Sequence, residues 1–230
     1  MSQLIKVIIP AYNEQDSIAN VIKDIPAIVD EVIVISNNST DNTEENANNA
    51  GATVLRESRK GYGFACLKGM EYIANKGIKP DIVVFLDGDY SDYPEQLTEI
   101  VAPIIYENID FVIGTRVKRL REQGSMTPQQ IFGNWLATFL MKVFFGGKFT
   151  DLGPFRAIKY TQLLALKMED KTYGWTVEMQ LKALKQQLTY VEIPMKYRNR
   201  IGVSKVSGTV KGSIMAGVKI LGWIFKYNFK

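Results

Sequence analysis

Short apolar runs that end in polar clusters recur along this chain of 230 residues, and helical patterns separate them. The clearest run is residues 82–86 (IVVFL), which is followed directly by Asp87-Gly88-Asp89. A run of this length without polar residues is typical of a strand buried on both faces, as strands of parallel sheets are. Strands of this kind that alternate with helices predict an α/β fold, with a mainly parallel central sheet and helices on both faces.

The predicted elements follow from these periodicities. Strands are predicted at residues 4–9, 31–35, 52–55, 82–86, 111–113 and 188–193. Helices are predicted around residues 18–25, from the end of the 36–41 turn through about residue 50, and at 63–72, 131–145, 176–186 and 206–227, with a further helix after Pro94. Residues 117–130 are polar and uneven, which is typical of a mobile loop.

Three polar clusters, at residues 10–14, 36–41 and 87–92, each follow a predicted strand. Because the carboxyl ends of parallel strands meet at one edge of a sheet, we expect these clusters to converge. Asp87 and Asp89 offer hard oxygen ligands separated by one small residue, an arrangement that suits Mg²⁺ or Mn²⁺ bound to a diphosphate. The alternative is an Asp-Gly turn that binds nothing.

Composition excludes several kinds of chemistry. The chain has no histidine, which excludes histidine general acid–base catalysis, Ser-His-Asp triads and histidine-ligated zinc. Its single cysteine, Cys66, is expected to be a small core residue, and an internal disulfide is excluded. A net charge of +4 without a basic stripe interleaved with aromatic residues argues against a nucleic-acid partner. No signal peptide and no transmembrane helix are expected, and nothing in the sequence indicates an oligomeric state.

The last segment, residues 206–230, is predicted to be an amphipathic helix. On a helical wheel one side carries Lys205, Lys211, Lys219, Lys226 and Lys230, and the other carries Ile214, Val218, Leu221, Trp223 and Phe225. Two interpretations remain open. The helix lies on a membrane surface, with its lysines at anionic headgroups and Trp223 at the interface, or it packs on the domain with its lysines in water. The excess apolar surface of the 131–145 helix favours the membrane.

Several motifs occur in a characteristic order. They are residues 7–14 (VIIPAYNE), residues 38–43 (NSTDNT), Asp87-Gly88-Asp89 and Gly114-Thr115-Arg116. In this order they resemble glycosyltransferase family two, which has the Rossmann-like GT-A fold. Residues 151–158, 173–179 and 197–205 are similar to the branch of polyprenyl-phosphate (dolichol-phosphate) hexose synthases. The resemblance covers about residues 4–210, and it implies a glycosyltransferase domain over residues 1–205 with a nucleotide-sugar half (1–116) and an acceptor half (117–205).

The resemblance also implies roles for individual residues. The nucleotide sugar would be bound by Pro10, Ala11, Tyr12, Glu14, Ser36, Asn37, Asp87, Gly88, Asp89 and Arg200. The metal, Mg²⁺ or Mn²⁺, would be held by Asp87 and Asp89. The catalytic set would be Asp89, Arg116, Asp151, Glu178 and Arg200, and the acceptor phosphate would be bound by Arg116, Arg198 and Lys205. Relatives often carry aspartate where this chain has Ser36 and Asn37, so the nucleobase stays open between uracil and guanine.

The expected reaction is direct displacement at the anomeric carbon, which inverts its configuration. A hexose would pass from a UDP- or GDP-linked donor to a polyprenyl phosphate, whose ionised oxygen needs no strong base because its second pKa is about 6. If the acceptor were instead a sugar or lipid hydroxyl, Asp151 or Glu178 would have to take the proton. Further alternatives are a nucleotidyltransferase and a non-catalytic scaffold. The enzyme is expected in the cytoplasm, bound peripherally to the inner face of the membrane.

Overall fold

A computed structural model describes residues 3–202 and 210–228, and within them seven strands and eight helices form. The strands are β1 (Ile5–Ala11), β2 (Glu31–Ser36), β3 (Thr53–Arg56), β4 (Ile82–Phe85), β5 (Phe111–Thr115), β6 (Arg156–Lys159) and β7 (Tyr190–Pro194). The helices are α1 (Ile18–Asp24), α2 (Thr43–Asn49), α3 (Tyr62–Ala74), α4 (Leu97–Glu107), α5 (Pro128–Phe145), α6 (Tyr160–Leu166), α7 (Trp175–Lys185) and α8 (Val210–Asn228).

All seven strands join one sheet in the order β3-β2-β1-β4-β6-β5-β7. The pairs of β1 with β2 and β4, of β2 with β3, and of β5 with β7 are parallel. Only β6 runs antiparallel to its neighbours β4 and β5, among the described strands. The prediction of a mainly parallel sheet is therefore confirmed.

Alternate side chains of the central strands feed two separate cores, one on each face of the sheet. Ile8 of β1 packs in a cluster with α3, α5, α6, α7 and α8, whereas Val7 and Ile9 pack with α1, α2 and α4. Every residue of β4 is buried, which explains its unbroken apolar run. Cys66 is buried in the first core, as predicted.

Two elements were missing from the sequence prediction. Strand β6 begins with Arg156, a residue that does not suggest a core strand, and α6 follows it at once. Helix α5 also starts earlier than predicted, inside the segment interpreted as a loop. Thr127 and Gln130 form a reciprocal capping box there, in which each side chain accepts a hydrogen bond from the backbone N–H of the other.

Helix α8 packs on α5 and α7, the second of the two interpretations offered for it. Trp223 is buried, not at an interface, and its indole N–H donates to Asp170 at 2.6 Å. Two of its lysines lie close to acids of the domain, with Lys219 3.3 Å from Asp170 and Lys226 3.4 Å from Glu169. None of the helices in the described part of the chain is long and apolar enough to cross a membrane.

Candidate active site

A cleft of about 470 Å³ lies at the carboxyl-terminal edge of β1 and β4. The predicted site residues that line it are Pro10, Ala11, Tyr12, Glu14, Asn37, Asp87, Gly88, Asp89, Arg116 and Arg200. Ser36, Asp151, Glu178 and Arg198 lie outside this lining, and Lys205 lies outside the described residues. Residues from all three polar clusters that follow strands thus meet in this cleft, as expected.

The turn after β4 is fixed from both sides. The Ser17 hydroxyl donates to the Gly88 carbonyl at 2.7 Å, and the Tyr62 hydroxyl donates to Asp87 Oδ1 at 3.0 Å. Asp89 Oδ1 accepts from the backbone N–H and the hydroxyl of Ser91, at 2.9 and 2.6 Å. These contacts hold two carboxylates at the floor of the cleft in defined orientations.

Asp87 lies in surroundings that disfavour its charge. Burial raises the pKa of Asp87 to about 7, and the negative charge of Asp89 adds to the increase. Burial, together with Asp87 and Asp89, also raises the pKa of nearby Asp92 well above its usual range. Burial and the neighbouring acids therefore oppose the ionisation of Asp87 and Asp92.

Asp87 and Asp89 fit a divalent cation, because a cation would relieve their repulsion and carboxylate oxygens are the ligands that Mg²⁺ and Mn²⁺ prefer. No group of three or more metal-ligating side chains occurs among the described residues. Two carboxylates with the remaining positions left to phosphate and water is a usual arrangement for Mg²⁺.

Arg200 spans the mouth of the cleft and bridges two acids. Its Nη2 lies 3.0 Å from Glu14 Oε1, and its Nη1 lies 3.1 Å from Asp89 Oδ2. The backbone N–H of Ile201 donates to the Asp89 carbonyl at 3.0 Å, which ties this segment to the strand end. The guanidinium Nε is buried without a hydrogen-bond partner in the described structure, so the side chain has donor capacity left for a phosphate.

Arg116 is bound by Asp151 through a two-pronged ion pair. Its Nε and Nη2 donate to the two carboxylate oxygens at 2.9 and 2.5 Å, and its backbone N–H donates to Oδ2 at 2.7 Å. Burial alone would raise the pKa of Asp151, but the charge and hydrogen bonds of Arg116 outweigh it and lower this pKa. A carboxylate held this way is a poor proton acceptor, in contrast to the base expected for a hydroxyl acceptor.

Two other predicted residues, Glu178 and Arg198, have structural partners. Glu178 is fully buried, accepts from the backbone N–H groups of Glu169 and Asp170, and lies 2.7 Å from Lys182, away from the cleft lining. It therefore does not occupy the sugar- or metal-contacting position that the sequence suggested, because its helix turns it into the core.

Arg198 stacks on the rings of Tyr90 and Tyr93, at 3.5 and 4.0 Å from their centroids. Its Nε also donates to the Tyr90 carbonyl at 2.8 Å. The guanidinium thus holds the 197–201 segment on the turn after β4, and it is not among the groups that face the cleft. Arg156 is likewise structural, since it donates to the carbonyls of Gly153 and Thr176.

Asn37, expected to contact the nucleobase, makes its side-chain hydrogen bonds to backbone groups. The Asn37 amide donates to the carbonyls of Glu57 and Arg59 at 3.0 and 2.7 Å, and its oxygen accepts from Gly61 N–H at 2.8 Å. Ser36 is buried behind it. Asn37 therefore shapes this wall, with its side-chain hydrogen bonds already made.

The cleft contains aromatic residues that the sequence analysis did not assign to it, namely Tyr62, Tyr173, Trp175 and Tyr197. Their signals were the turns Gly61-Tyr62-Gly63 and Tyr173-Gly174-Trp175. A Cβ on Gly61 or Gly63 would lie about 2 Å from a backbone oxygen of the 170–171 segment, so glycine alone lets these two stretches meet. Trp175 is 1% exposed, and its indole N–H has no partner in the described structure.

Comparison with known proteins identifies the family. The model of Glycosyl transferase family 2 matches residues 6–163. The chain belongs to glycosyltransferase family 2. The family resemblance drawn from the motifs is therefore confirmed, and this family 2 protein is a glycosyltransferase.

Two relatives of this family 2 protein have named lipid-phosphate substrates. An undecaprenyl-phosphate mannosyltransferase of Micrococcus luteus is 27% identical over 224 residues, which cover 92% of this chain and 90% of the relative. A UDP-N-acetylglucosamine–dolichyl-phosphate N-acetylglucosaminyltransferase of Methanococcus voltae is 29% identical over 216 residues, covering 84% and 85%. The chain is thus similar to the polyprenyl-phosphate branch over most of its length.

The fold is that of solved GT-A enzymes. Glucosyl-3-phosphoglycerate synthase of Mycobacterium tuberculosis, solved with Mn²⁺, UDP and glucosyl-3-phosphoglycerate, superposes with a TM-score of 0.75 at 22% identity. The match covers 97% of this chain and 80% of the synthase. The predicted GT-A fold is confirmed, and at least one enzyme of this fold binds a divalent metal together with a nucleotide.

Proposed function

We propose that this family 2 protein is an inverting, metal-dependent hexosyltransferase that transfers a hexose from a UDP- or GDP-linked donor to a polyprenyl phosphate. The observation that carries this proposal is that Asp87, Asp89 and Arg200 line one cleft at the strand edge, with Arg200 3.1 Å from Asp89. That edge is where α/β sheets bind nucleotides. The two lipid-phosphate relatives support the acceptor class.

On the donor side, Asp87 and Asp89 would hold Mg²⁺ or Mn²⁺. The bound ion would act as a Lewis acid that neutralises charge on the departing nucleoside diphosphate. Arg200 would bind a phosphate oxygen by exchanging one of its two carboxylate partners. Pro10, Ala11 and Tyr12 would enclose the nucleoside at the end of β1.

On the acceptor side, neither of the two carboxylates predicted as a base is placed to act as one, which favours a phosphate nucleophile. The chain has no histidine, Asp151 is bound on both oxygens by Arg116, and Glu178 is buried away from the cleft. A phosphate oxygen attacks the anomeric carbon without giving up a proton, because it is already ionised at neutral pH. Arg116 lines the cleft and would contact this phosphate. Arg198 and Lys205 remain proposed contacts of this phosphate. Arg198 would have to move to reach the cleft, and Lys205 lies outside the described residues.

A polyprenyl acceptor is confined to the bilayer, so the enzyme is proposed to work as a peripheral protein at the cytoplasmic face of the membrane. The chemistry of the acceptor supports this location, which can be tested separately from catalysis.

The test is transfer of radiolabelled hexose from UDP- and GDP-sugars to polyprenyl phosphate, with Mn²⁺ or with EDTA. We expect a lipid product that mild acid hydrolyses, since glycosyl phosphates are acid-labile, and no product with EDTA. An acid-stable glycolipid would show a hydroxyl acceptor and contradict the proposal. Asp89→Asn should abolish transfer, whereas the matched variant Asp16→Asn changes an exposed carboxylate and should be active.

A further inference from the structure

One face of α5 exposes large apolar side chains to solvent. Phe132, Trp135, Phe139 and Val143 follow one another at intervals of three or four residues, and each is between 47% and 61% exposed. The ring of Trp135 stacks on Phe139 at 5.6 Å and contacts Phe132 at 5.8 Å. A continuous aromatic stripe of this kind is far from the single exposed hydrophobic residues that soluble surfaces usually carry.

Helix α8 extends this stripe. Phe144 of α5 contacts the ring of Phe225 of α8 at 6.0 Å, and Met215 and Val218 are also exposed on α8. We name the combined patch the α5–α8 apolar surface. It consists of Ile131, Phe132, Trp135, Phe139, Val143, Phe144, Met215, Val218 and Phe225.

Helix α5 and the stretch that follows it carry no acidic residue. Residues 123–150 contain Lys142 and Lys148 but no aspartate or glutamate. Lys142 and Lys148 are exposed. Asp170 and Glu169, two acids near α8, lie 3.3 Å from Lys219 and 3.4 Å from Lys226, so each is paired with a lysine. An apolar face bordered by lysines is complementary to an anionic lipid surface, and a second copy would bring lysines against lysines.

The surface leads to the active-site cleft. Gln130, in the first turn of α5, lines the cleft. Asn134 of the same helix accepts from Leu152 N–H at 2.8 Å and donates to the Thr150 carbonyl at 3.1 Å, which locks α5 to the stretch before Pro154 in the cleft wall. A lipid held in the layer that α5 contacts would therefore have its phosphate near the cleft.

We infer that the α5–α8 apolar surface binds an anionic lipid bilayer. This deepens the peripheral location in the proposed function by naming the surface, and it shifts the membrane contact from the lysine side of α8 to the aromatic face of α5. Trp135 and its neighbours enter the interface, while Lys142 and Lys148 contact anionic headgroups.

The experiment is flotation of the full-length protein with phosphatidylcholine vesicles that contain or lack phosphatidylglycerol. We expect binding to the anionic vesicles, weakened but not abolished by salt, and a blue shift of tryptophan fluorescence from Trp135, since Trp175 and Trp223 are already buried. The double variant Trp135→Ser/Phe139→Ser should weaken binding about tenfold or more. Tyr106→Ser, which changes an 82% exposed aromatic residue on α4, is the matched control and should bind normally.

Charge reversal at Lys142 and Lys148 (to Glu) provides a second variant, expected to lose selectivity for anionic vesicles. Unchanged flotation of both variants would overturn the inference. Sedimentation in the absence of lipid must show a monomer, because a dimer that Trp135→Ser/Phe139→Ser dissociates would assign the surface to a second copy. Vesicle binding without any transfer to polyprenyl phosphate would refute the proposed function and leave this inference standing.

Discussion

Replacing Asp151 by asparagine should destabilise the fold by about 3 kcal/mol at neutral pH, because it leaves the buried guanidinium of Arg116 without its counter-charge. Both side chains are largely buried, at 12% and 6% exposure, so solvent compensates little for the loss. Asparagine preserves shape and still offers one oxygen to the backbone N–H of Arg116. The charge of the pair is therefore what the substitution tests.

The stabilising effect of the Arg116–Asp151 pair should depend on pH. The pKa of Asp151 is lowered in the folded protein, so the pair stabilises the fold above the ordinary pKa of aspartate and loses this effect as pH falls through the lowered value. The difference in unfolding free energy between wild type and Asp151→Asn should thus be full at neutral pH and shrink below about pH 4. Urea denaturation at several pH values measures it, with Asp16→Asn as an exposed control.

A double-mutant cycle with Arg116→Gln separates structure from catalysis. The two variants should share most of their stability loss, and their effects on transfer should also be non-additive if Asp151 acts by orienting Arg116. A loss of less than about 1 kcal/mol in unfolding free energy at neutral pH, or no coupling between the two sites, would contradict a stabilising role for this ion pair. A well-folded Asp151→Asn that is inactive while Arg116→Gln is active would instead make Asp151 the base of a hydroxyl acceptor.

Further expectations concern the cleft. Because the pKa of Asp87 is about 7 without metal, Mn²⁺ affinity measured by calorimetry should fall up to about tenfold for each pH unit below neutrality, and an affinity independent of pH would contradict this. Tyr62→Phe removes the donor to the Asp87 carboxylate, and we expect severalfold weaker Mn²⁺ binding in the same assay, with unchanged binding counting against the contact. Trp175→Phe removes the unpartnered indole N–H of a residue that lines the cleft. If that N–H contacts the sugar, the variant should raise the KM for the donor about fivefold with little change in stability. Trp223→Phe, which loses the hydrogen bond to Asp170, should lower the Tm and leave the KM for the donor unchanged. A lower Tm without a change in KM for Trp175→Phe, or a raised KM without a change in Tm for Trp223→Phe, would contradict these roles.

The strand-end residues could be predicted from sequence because their positions follow from strand order alone. Once β1 and β4 are parallel neighbours, the residues after Ala11 and Phe85 must share an edge, whatever the remaining contacts are. The apolar runs also identified the strands, because a two-sided burial leaves no room for polar residues in β4.

What could not be predicted depends on pairs that are distant in sequence. Asp151 binds Arg116 across 35 positions, and no local pattern indicates which acid an arginine will select. Glu178 occupies the first turn of α7, a position usually favourable for an exposed carboxylate, yet the 169–170 backbone meets it in the core. Strand β6 was missed for a similar reason, since Arg156 is acceptable in a core only because carbonyls of separate segments surround it.

The bridge that Arg200 makes between Glu14 and Asp89 has a consequence for the order of ligand binding. A nucleotide that arrives alone must draw Arg200 away from Asp89, and that carboxylate then lacks its guanidinium partner. A cation that arrives alone must displace Arg200 from the same carboxylate. When both arrive, the cation takes the carboxylate and the diphosphate takes the guanidinium, so each charge exchanges one partner for another. Metal and nucleotide should therefore increase each other's affinity, and by thermodynamic reciprocity they must do so by the same factor.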